Sequence, residues 1–232
     1  MQKRGCVELH HPFTYDEITC NESGYRSVAA LQRGAFFKMD ETRSSPGTQE
    51  AAAEIDSLIL VDDADRELGY LSKAECHRGR GVLHRAFSLL IFNDAGELLL
   101  QQRSAAKRLW PLYWSNSCCS HPRRAETMEA ATHRRLQEEL GLRCALHFLF
   151  KFQYQAQFDA AGAERELCSV FIGRAVEAPK INRDEILAWR WISPEALQAE
   201  FAGSGADRFT PWFAIEWERI WRDYRPALAV LH

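Results

Sequence analysis

The chain has 232 residues, 46% of them hydrophobic and 26% charged, which suits one globular domain of roughly 150 to 200 residues with a sizeable core and a remainder outside it. A formal net charge of -3 argues against general polyanion binding, nucleic acid included. Recognition of a phosphate group must therefore come from a few placed cations rather than a basic surface.

In chain order, residues 1–55 differ in texture from the rest. The start, MQKRGCVELHHPFTYDEITCNES, has no sustained periodicity, and DETRSSPGTQEAAAE is polar, rich in small residues and linker-like. We read residues 1–55 as an extension to a folded domain at 56–232, with Met39 an alternative start that N-terminal sequencing would test. From Ser57 the segments SLILV, RAFSLLIF and ELLLQQR read as strands, the latter two a hairpin across Asn93-Asp94-Ala95-Gly96. ETMEAATHRRLQEELG is rich in helix formers and ends on a candidate C-cap, Gly141. A second hairpin is expected between HFLFKFQYQAQF and RELCSVFIGR across Asp159-Ala160-Ala161-Gly162. Ser193-Pro194 and Thr210-Pro211 each read as the opening of a helix. Strand pairs interleaved with helices predict an α/β (α+β) mixed sheet with helices on its faces.

Seven scattered cysteines favour a reduced compartment. With no apolar run of about eighteen residues and no leader-like start, the simplest expectation is a cytoplasmic protein with no membrane partner. Three groups of residues suggest chemistry. Glu164 and Glu166 flank Arg165 in a strand, so both carboxylates share a face; a solvated strand end would look the same. His77 and His84 stand seven apart before RAFSLLIF. With His121 and the two glutamates they offer three imidazoles and two carboxylates, a set suited to zinc, manganese or magnesium if they converge. Cys118 and Cys119 are adjacent in SNSCCSHP, where a mutual disulfide would be strained; a reactive thiol and a buried turn both remain open.

The most specific pattern is the frame Ser120, Glu126, Arg134-Arg135, Leu136, Gln137, Glu138-Glu139, Leu140, Gly141, Leu142. It matches the Nudix signature in register, with Ser120 in place of the first glycine and Arg135 in place of a metal-binding glutamate. Loss of that glutamate to a positive charge weakens hydrolysis as the function. Arg135 and Glu139 share a helical face, as a bare surface ion pair or as a diphosphate-binding arginine beside a magnesium ligand.

KAECHRGRGVLHRAFS, QRSAAKRLWPLYWSNSCCSHP, the altered Nudix helix, FQYQA and ERELCSVF occur in this order. Over roughly residues 57 to 215 the chain thereby resembles the type 1 isopentenyl-diphosphate isomerases, a Nudix-like family. The resemblance implies a Nudix-like mixed sheet sandwiched between helices. It implies Cys119 as catalytic acid/base, and a metal site of His77, His84, His121, Glu164 and Glu166 holding one Mn2+, Zn2+ or Mg2+. Glu166 would also serve in proton transfer, with Tyr154 nearby. Lys73, Arg103, Lys107 and Arg135 would hold the diphosphate of a small isoprenoid substrate. Glu139 and the backbone of Cys119 would meet a Mg2+ that accompanies it. Trp114 and Trp212 would line the pocket.

The implied reaction interconverts isopentenyl diphosphate and dimethylallyl diphosphate through a tertiary carbocation, which calls for a dry pocket, a protonated acid and electron-rich neighbours. The competing readings are a Nudix hydrolase of another diphosphate and a catalytically dead diphosphate-binding module. Metal identity and downstream pathway stay open. So does oligomeric state: Trp217, Trp221 and Tyr224 recur on the C-terminal helix in a way that fits core packing at least as well as an interface, so a monomer is compatible.

Overall fold

The structure, a computed structural model, describes residues 57–203 and 205–229; the expectations for residues 1–55, the start at Met39 among them, lie outside these. Among the described residues, nine strands form one sheet. They are β1 (Ser57–Val61), β2 (Glu67–Ser72), β3 (His84–Phe92), β4 (Leu98–Arg103), β5 (Trp114–Ser115), β6 (Cys118–Ser120), β7 (Leu146–Asp159), β8 (Gly162–Arg174) and β9 (Ile186–Ile192). The helices are α1 (Lys73–Cys76), α2 (Met128–Leu140), α3 (Pro194–Ala202), α4 (Pro211–Asp223) and α5 (Arg225–Ala229). No described helix is long and apolar enough to cross a membrane.

Strand β3 organises the sheet. It runs parallel to β8 from His84↔Glu166 to Phe92↔Arg174 and antiparallel to β6, with Ser88 opposite Cys119. Alternation along β3 feeds two cores. Phe87, Leu89 and Ile91 pack with Leu136 and Leu140 of α2. Ala86, Leu90 and Phe92 pack with Leu197 of α3 and with Trp212, Phe213 and Trp217 of α4. The result is the expected mixed sheet between helices. Trp217 lies in the second of these cores, with Trp221 and Tyr224 packed against it.

Local signals account for the helix ends. Thr127 caps α2 by accepting from the Ala130 N–H at 3.2 Å, and Gly141 closes it at φ 65, a left-handed conformation cheap for glycine. Ser193 caps α3 by accepting from the Ala196 N–H at 3.2 Å. Thr210 precedes α4 but makes no side-chain capping bond. Its hydroxyl instead lies 2.8 Å from Ser115 Oγ in the interior.

The hairpin expected of β3 and β4 forms, but only close to its turn. The turn forms, with Asn93 Oδ1 accepting from the Ala95 and Glu97 N–H groups at 3.0 and 2.9 Å, but the strands pair only at Phe92↔Leu98. Beyond that point a later segment wedges them apart. Ser117 Oγ accepts from the Ile91 N–H at 2.8 Å and donates to the Leu99 carbonyl at 2.7 Å. The separated β4 pairs with β9 and β5. The second hairpin forms as expected, closing at Asp159↔Gly162 with Tyr154 opposite Glu166.

Candidate active site

The wedge that splits β3 from β4 brings SNSCCSHP into the middle of the sheet. Pairing of Ser88 with Cys119 puts Cys119 and His121 on the face shared by His84, Ser88 and Glu166. Cys118 falls on the opposite face and packs with Phe87 and Leu89.

The ligand atoms of His77, His84, His121, Glu164 and Glu166 all lie within 4.8 Å of one another, and all five residues are buried. The loop after α1 brings His77, the start of β3 brings His84, and β8 brings both glutamates. His77 Nδ1 is 2.6 Å from the Lys73 carbonyl and His84 Nδ1 is 2.7 Å from the Val82 carbonyl. With Nδ1–H spent on a carbonyl, Nε2 carries the lone pair and faces the cluster, the outer-shell arrangement that orients a ligating imidazole. His77 Nε2 approaches Glu164 Oε2 at 2.7 Å, and His121 Nε2 approaches Glu166 Oε1 at 2.8 Å. Even so, His84 Nε2 and Glu164 Oε2 are buried with no hydrogen-bond partner. Buried lone-pair atoms of this kind, left without a hydrogen-bonding partner, fit a divalent cation among them. Burial pushes His121 down to about 3 despite Glu166 beside it. Glu166 is ionised: burial opposes its charge, but His121 and His84 hold the carboxyl well below the usual range.

Cys119 Sγ donates to Asn116 Oδ1 at 2.8 Å and lies 3.4 Å from Ser88 Oγ. Asn116 is itself fixed, its amide donating to Ser88 Oγ and to the Leu89 and Cys118 carbonyls at 3.1 to 3.2 Å. Burial, seconded by the charge of Glu216, pushes the Cys119 thiol up to about 12, so it keeps its proton near neutrality. The Tyr154 hydroxyl donates to Glu166 Oε2 at 2.7 Å, and burial carries its own ionisation well above the ordinary tyrosine range. Trp212, on α4, is buried and stands edge-on to Trp110 at 5.2 Å and tilted to Tyr154 at 6.1 Å. One face of its ring carries the Arg103 guanidinium at 5.2 Å. Trp114, half-buried on β5, similarly carries Arg190 at 4.8 Å.

The remaining sequence candidates divide in two. Arg103 is braced by the Trp110 and Leu109 carbonyls, each at 2.9 Å, and Lys73 opens α1 at an exposed position. Arg135, Glu139 and Lys107 form an ion-pair network around Glu185. The Arg135–Glu139 pair is not a surface pair, since Glu139 is 2% exposed. Neither Glu139 nor the Cys119 sulfur belongs to the five-donor cluster. Arg134 makes two bonds to Glu126, at 2.6 and 2.9 Å, which ties the loop before α2 to the helix.

Three residues of this region escape sequence reasoning. Asn116 sits in the quoted octapeptide, three before Cys119, but its role shows only when the segment folds back on itself. Glu216, fully buried on α4 with Oε2 unpartnered, is four after Trp212 on a helix expected to be apolar on that face, a spacing that could have flagged it. Glu185, just before β9, carries no local signal.

A NUDIX domain family model matches residues 82–213. The Photorhabdus laumondii protein named Isopentenyl-diphosphate Delta-isomerase 1 is 40% identical over 172 residues, covering 73% of this chain and 97% of that one. The Nocardia farcinica protein named Isopentenyl-diphosphate Delta-isomerase is 44% identical over 156 residues, 67% of this chain and 89% of that one. A crystal structure from Deinococcus radiodurans superposes with a TM-score of 0.60 at 24% identity, covering 72% of this chain and 99% of that one, a likeness of fold.

Proposed function

The chain belongs to the isopentenyl-diphosphate Delta-isomerase family, built on a Nudix domain, and from that premise we propose that it interconverts isopentenyl diphosphate and dimethylallyl diphosphate through Cys119 and Glu166. The observation that carries this reading is that the two groups share one face of the sheet, Cys119 paired with Ser88 and Glu166 with His84. Cys119 donates its thiol proton to Asn116, while Glu166 receives a hydrogen bond from Tyr154; burial favours the protonated thiol, and the neighbouring imidazoles favour the ionised carboxylate. Moving a double bond along a five-carbon chain needs one proton delivered to the terminal alkene carbon and another taken from the carbon on the far side of the branch. A protonated acid and an ionised base supply both without net change.

His77, His84, His121, Glu164 and Glu166 would hold a divalent cation, Mg2+, Mn2+ or Zn2+, whose charge would keep Glu166 ionised and fixed in place. Asn116 and Ser88 hold the thiol in one orientation. Tyr154 stabilises the carboxylate while it has no proton and can share one when it does. Trp212, with Arg103 on one ring face, offers the other face to a developing carbocation and helps keep water out. Lys73, Arg103, Lys107 and Arg135 are the cations for the diphosphate, and Glu139 would take the Mg2+ that arrives with it.

The alternative, hydrolysis of another diphosphate, is disfavoured because Arg135 stands where the signature has a metal-binding glutamate. The two are separated by incubating the protein with isopentenyl diphosphate and Mg2+ and following products by NMR. Dimethylallyl diphosphate with no phosphate release is expected, and phosphate release without isomer would reject the reading. Cys119→Ala and Glu166→Gln should each lower isomerisation by roughly 10²–10⁴-fold, with Cys118→Ala mild.

A further inference from the structure

Glu185 has no part in the chemistry above, yet it bridges two of the cations assigned to the diphosphate. Its Oε2 pairs with Lys107 Nζ, and its Oε1 accepts from Arg135 Nη2 at 2.9 Å. All three side chains are largely enclosed: Glu185 is 24% exposed, Lys107 23% and Arg135 16%. The backbone around Glu185 is anchored to the elements that carry its two partners. Its carbonyl accepts from the Ser104 N–H at 3.0 Å, in the loop that bears Lys107. Its N–H donates to the Asn182 carbonyl at 3.1 Å, and the Asn182 N–H donates to the Glu139 carbonyl at 2.8 Å, near the end of α2.

We infer that Glu185 is a positioning residue for substrate binding, its two carboxylate oxygens setting Lys107 and Arg135 at a fixed separation before the diphosphate arrives. The inference rests on the reading of Lys107 and Arg135 as diphosphate-binding groups. Two cations brought together repel, and a lysine ammonium on its flexible stem would otherwise turn to solvent. Arg135 alone would close onto Glu138 and Glu139, to which it also bonds. A carboxylate with one oxygen for each cation removes both outcomes and lowers the ordering cost on binding. Burial opposes ionisation of Glu185, but the charge of Lys107 and the bonds from Lys107 and Arg135 hold its carboxyl down to about 2, so the brace is charged across the neutral range.

The test is steady-state isomerisation of isopentenyl diphosphate, with inorganic pyrophosphate as competitor, in wild type, Glu185→Gln, Lys107→Met and the double variant. Glu185→Gln should raise KM and the pyrophosphate inhibition constant about tenfold, the size of one charge-assisted bond lost. Its kcat should stay within about twofold, the pattern of lost uniform binding. In the Lys107→Met background the added effect of Glu185→Gln should shrink, because half of what it positions is gone. A lowered KM in Glu185→Gln would show that the carboxylate competes with the diphosphate, and would overturn the inference, as would an unchanged KM or a loss confined to kcat. If Lys107→Met raises KM and Glu185→Gln does not, only the positioning role fails; if Lys107→Met leaves KM unchanged, the diphosphate reading of these cations fails with it. Should Glu185→Gln not fold, Glu185→Asp, one methylene too short to span both partners, carries the same expectation of a raised KM at kept kcat, and an unchanged KM there overturns it.

Discussion

Cys118 and Cys119 are adjacent in sequence and end on opposite faces of the sheet, because β6 is a paired strand and alternates like any other. Cys118 is fully buried with Phe87 and Leu89, while Cys119 faces the imidazoles. Alternation made that division legible in the sequence; the thiol's partners Asn116 and Ser88 were not, because they depend on a fold-back and a strand pairing that no local pattern encodes. Glu216 belongs to the same scale. Burial, with Glu166 adding to it against a hydrogen bond from Ser88, raises its carboxyl from 4.5 to about 8. The groups near it are Cys168 at 3.9 Å on β8, Ser88 on β3, Cys119 on β6 and Glu166 on β8. A carboxyl whose folded pKa is raised keeps a proton that the unfolded chain releases, so its contribution to stability is greatest below 4.5 and is lost as pH rises toward about 8. Thermal unfolding of Glu216→Gln across that range should lack this fall, up to roughly 1.4 kcal/mol per pH unit at its steepest. Parallel pH profiles for wild type and variant would remove the assignment.

At the scale of elements, the β7–β8 hairpin closes over the loop that brings His77 to the His/Glu cluster. Gly162 sits at φ +152 where an added Cβ would lie 2.0 Å from the His77 carbonyl oxygen, and the Ala163 N–H donates to that same carbonyl at 3.1 Å. Gly162→Ala must therefore push the hairpin off the loop that carries His77. We expect a stability loss of about 1–3 kcal/mol together with reduced metal content in the purified protein. Retention of full metal content would show that the turn is not what fixes His77. The same hairpin was readable from its two strands and turn, as α2 was from its composition and caps, because both are local. The β3–β4 hairpin forms at its turn, but how far its strands pair is set non-locally: Ser117, 26 residues after Ile91 and 18 after Leu99, bonds to both and parts them. Thr210 shows a related limit, since a capping residue before proline predicts the helix correctly even when its hydroxyl is used in the interior instead.

For the molecule as a whole, one sheet gives each of its faces a different task. The α2 face carries the helix of the altered signature, with Arg135 and Glu139 in the ion-pair network around Glu185. The α4 face encloses Trp212, Tyr154 and the thiol in apolar surroundings. The family frame was legible because its residues keep order and spacing, whereas Glu185 became visible only when the loop bearing Lys107, α2 and the segment before β9 met in space. The central claim is that Cys119 and Glu166 pass protons to and from one bound alkene. Turnover of isopentenyl diphosphate in deuterated water, followed by NMR, tests it most directly. Wild type should give dimethylallyl diphosphate carrying deuterium in a methyl group, and Cys119→Ala should form it roughly 10²–10⁴-fold more slowly; deuterated product from Cys119→Ala at the wild-type rate, or phosphate release in place of isomer, would contradict this.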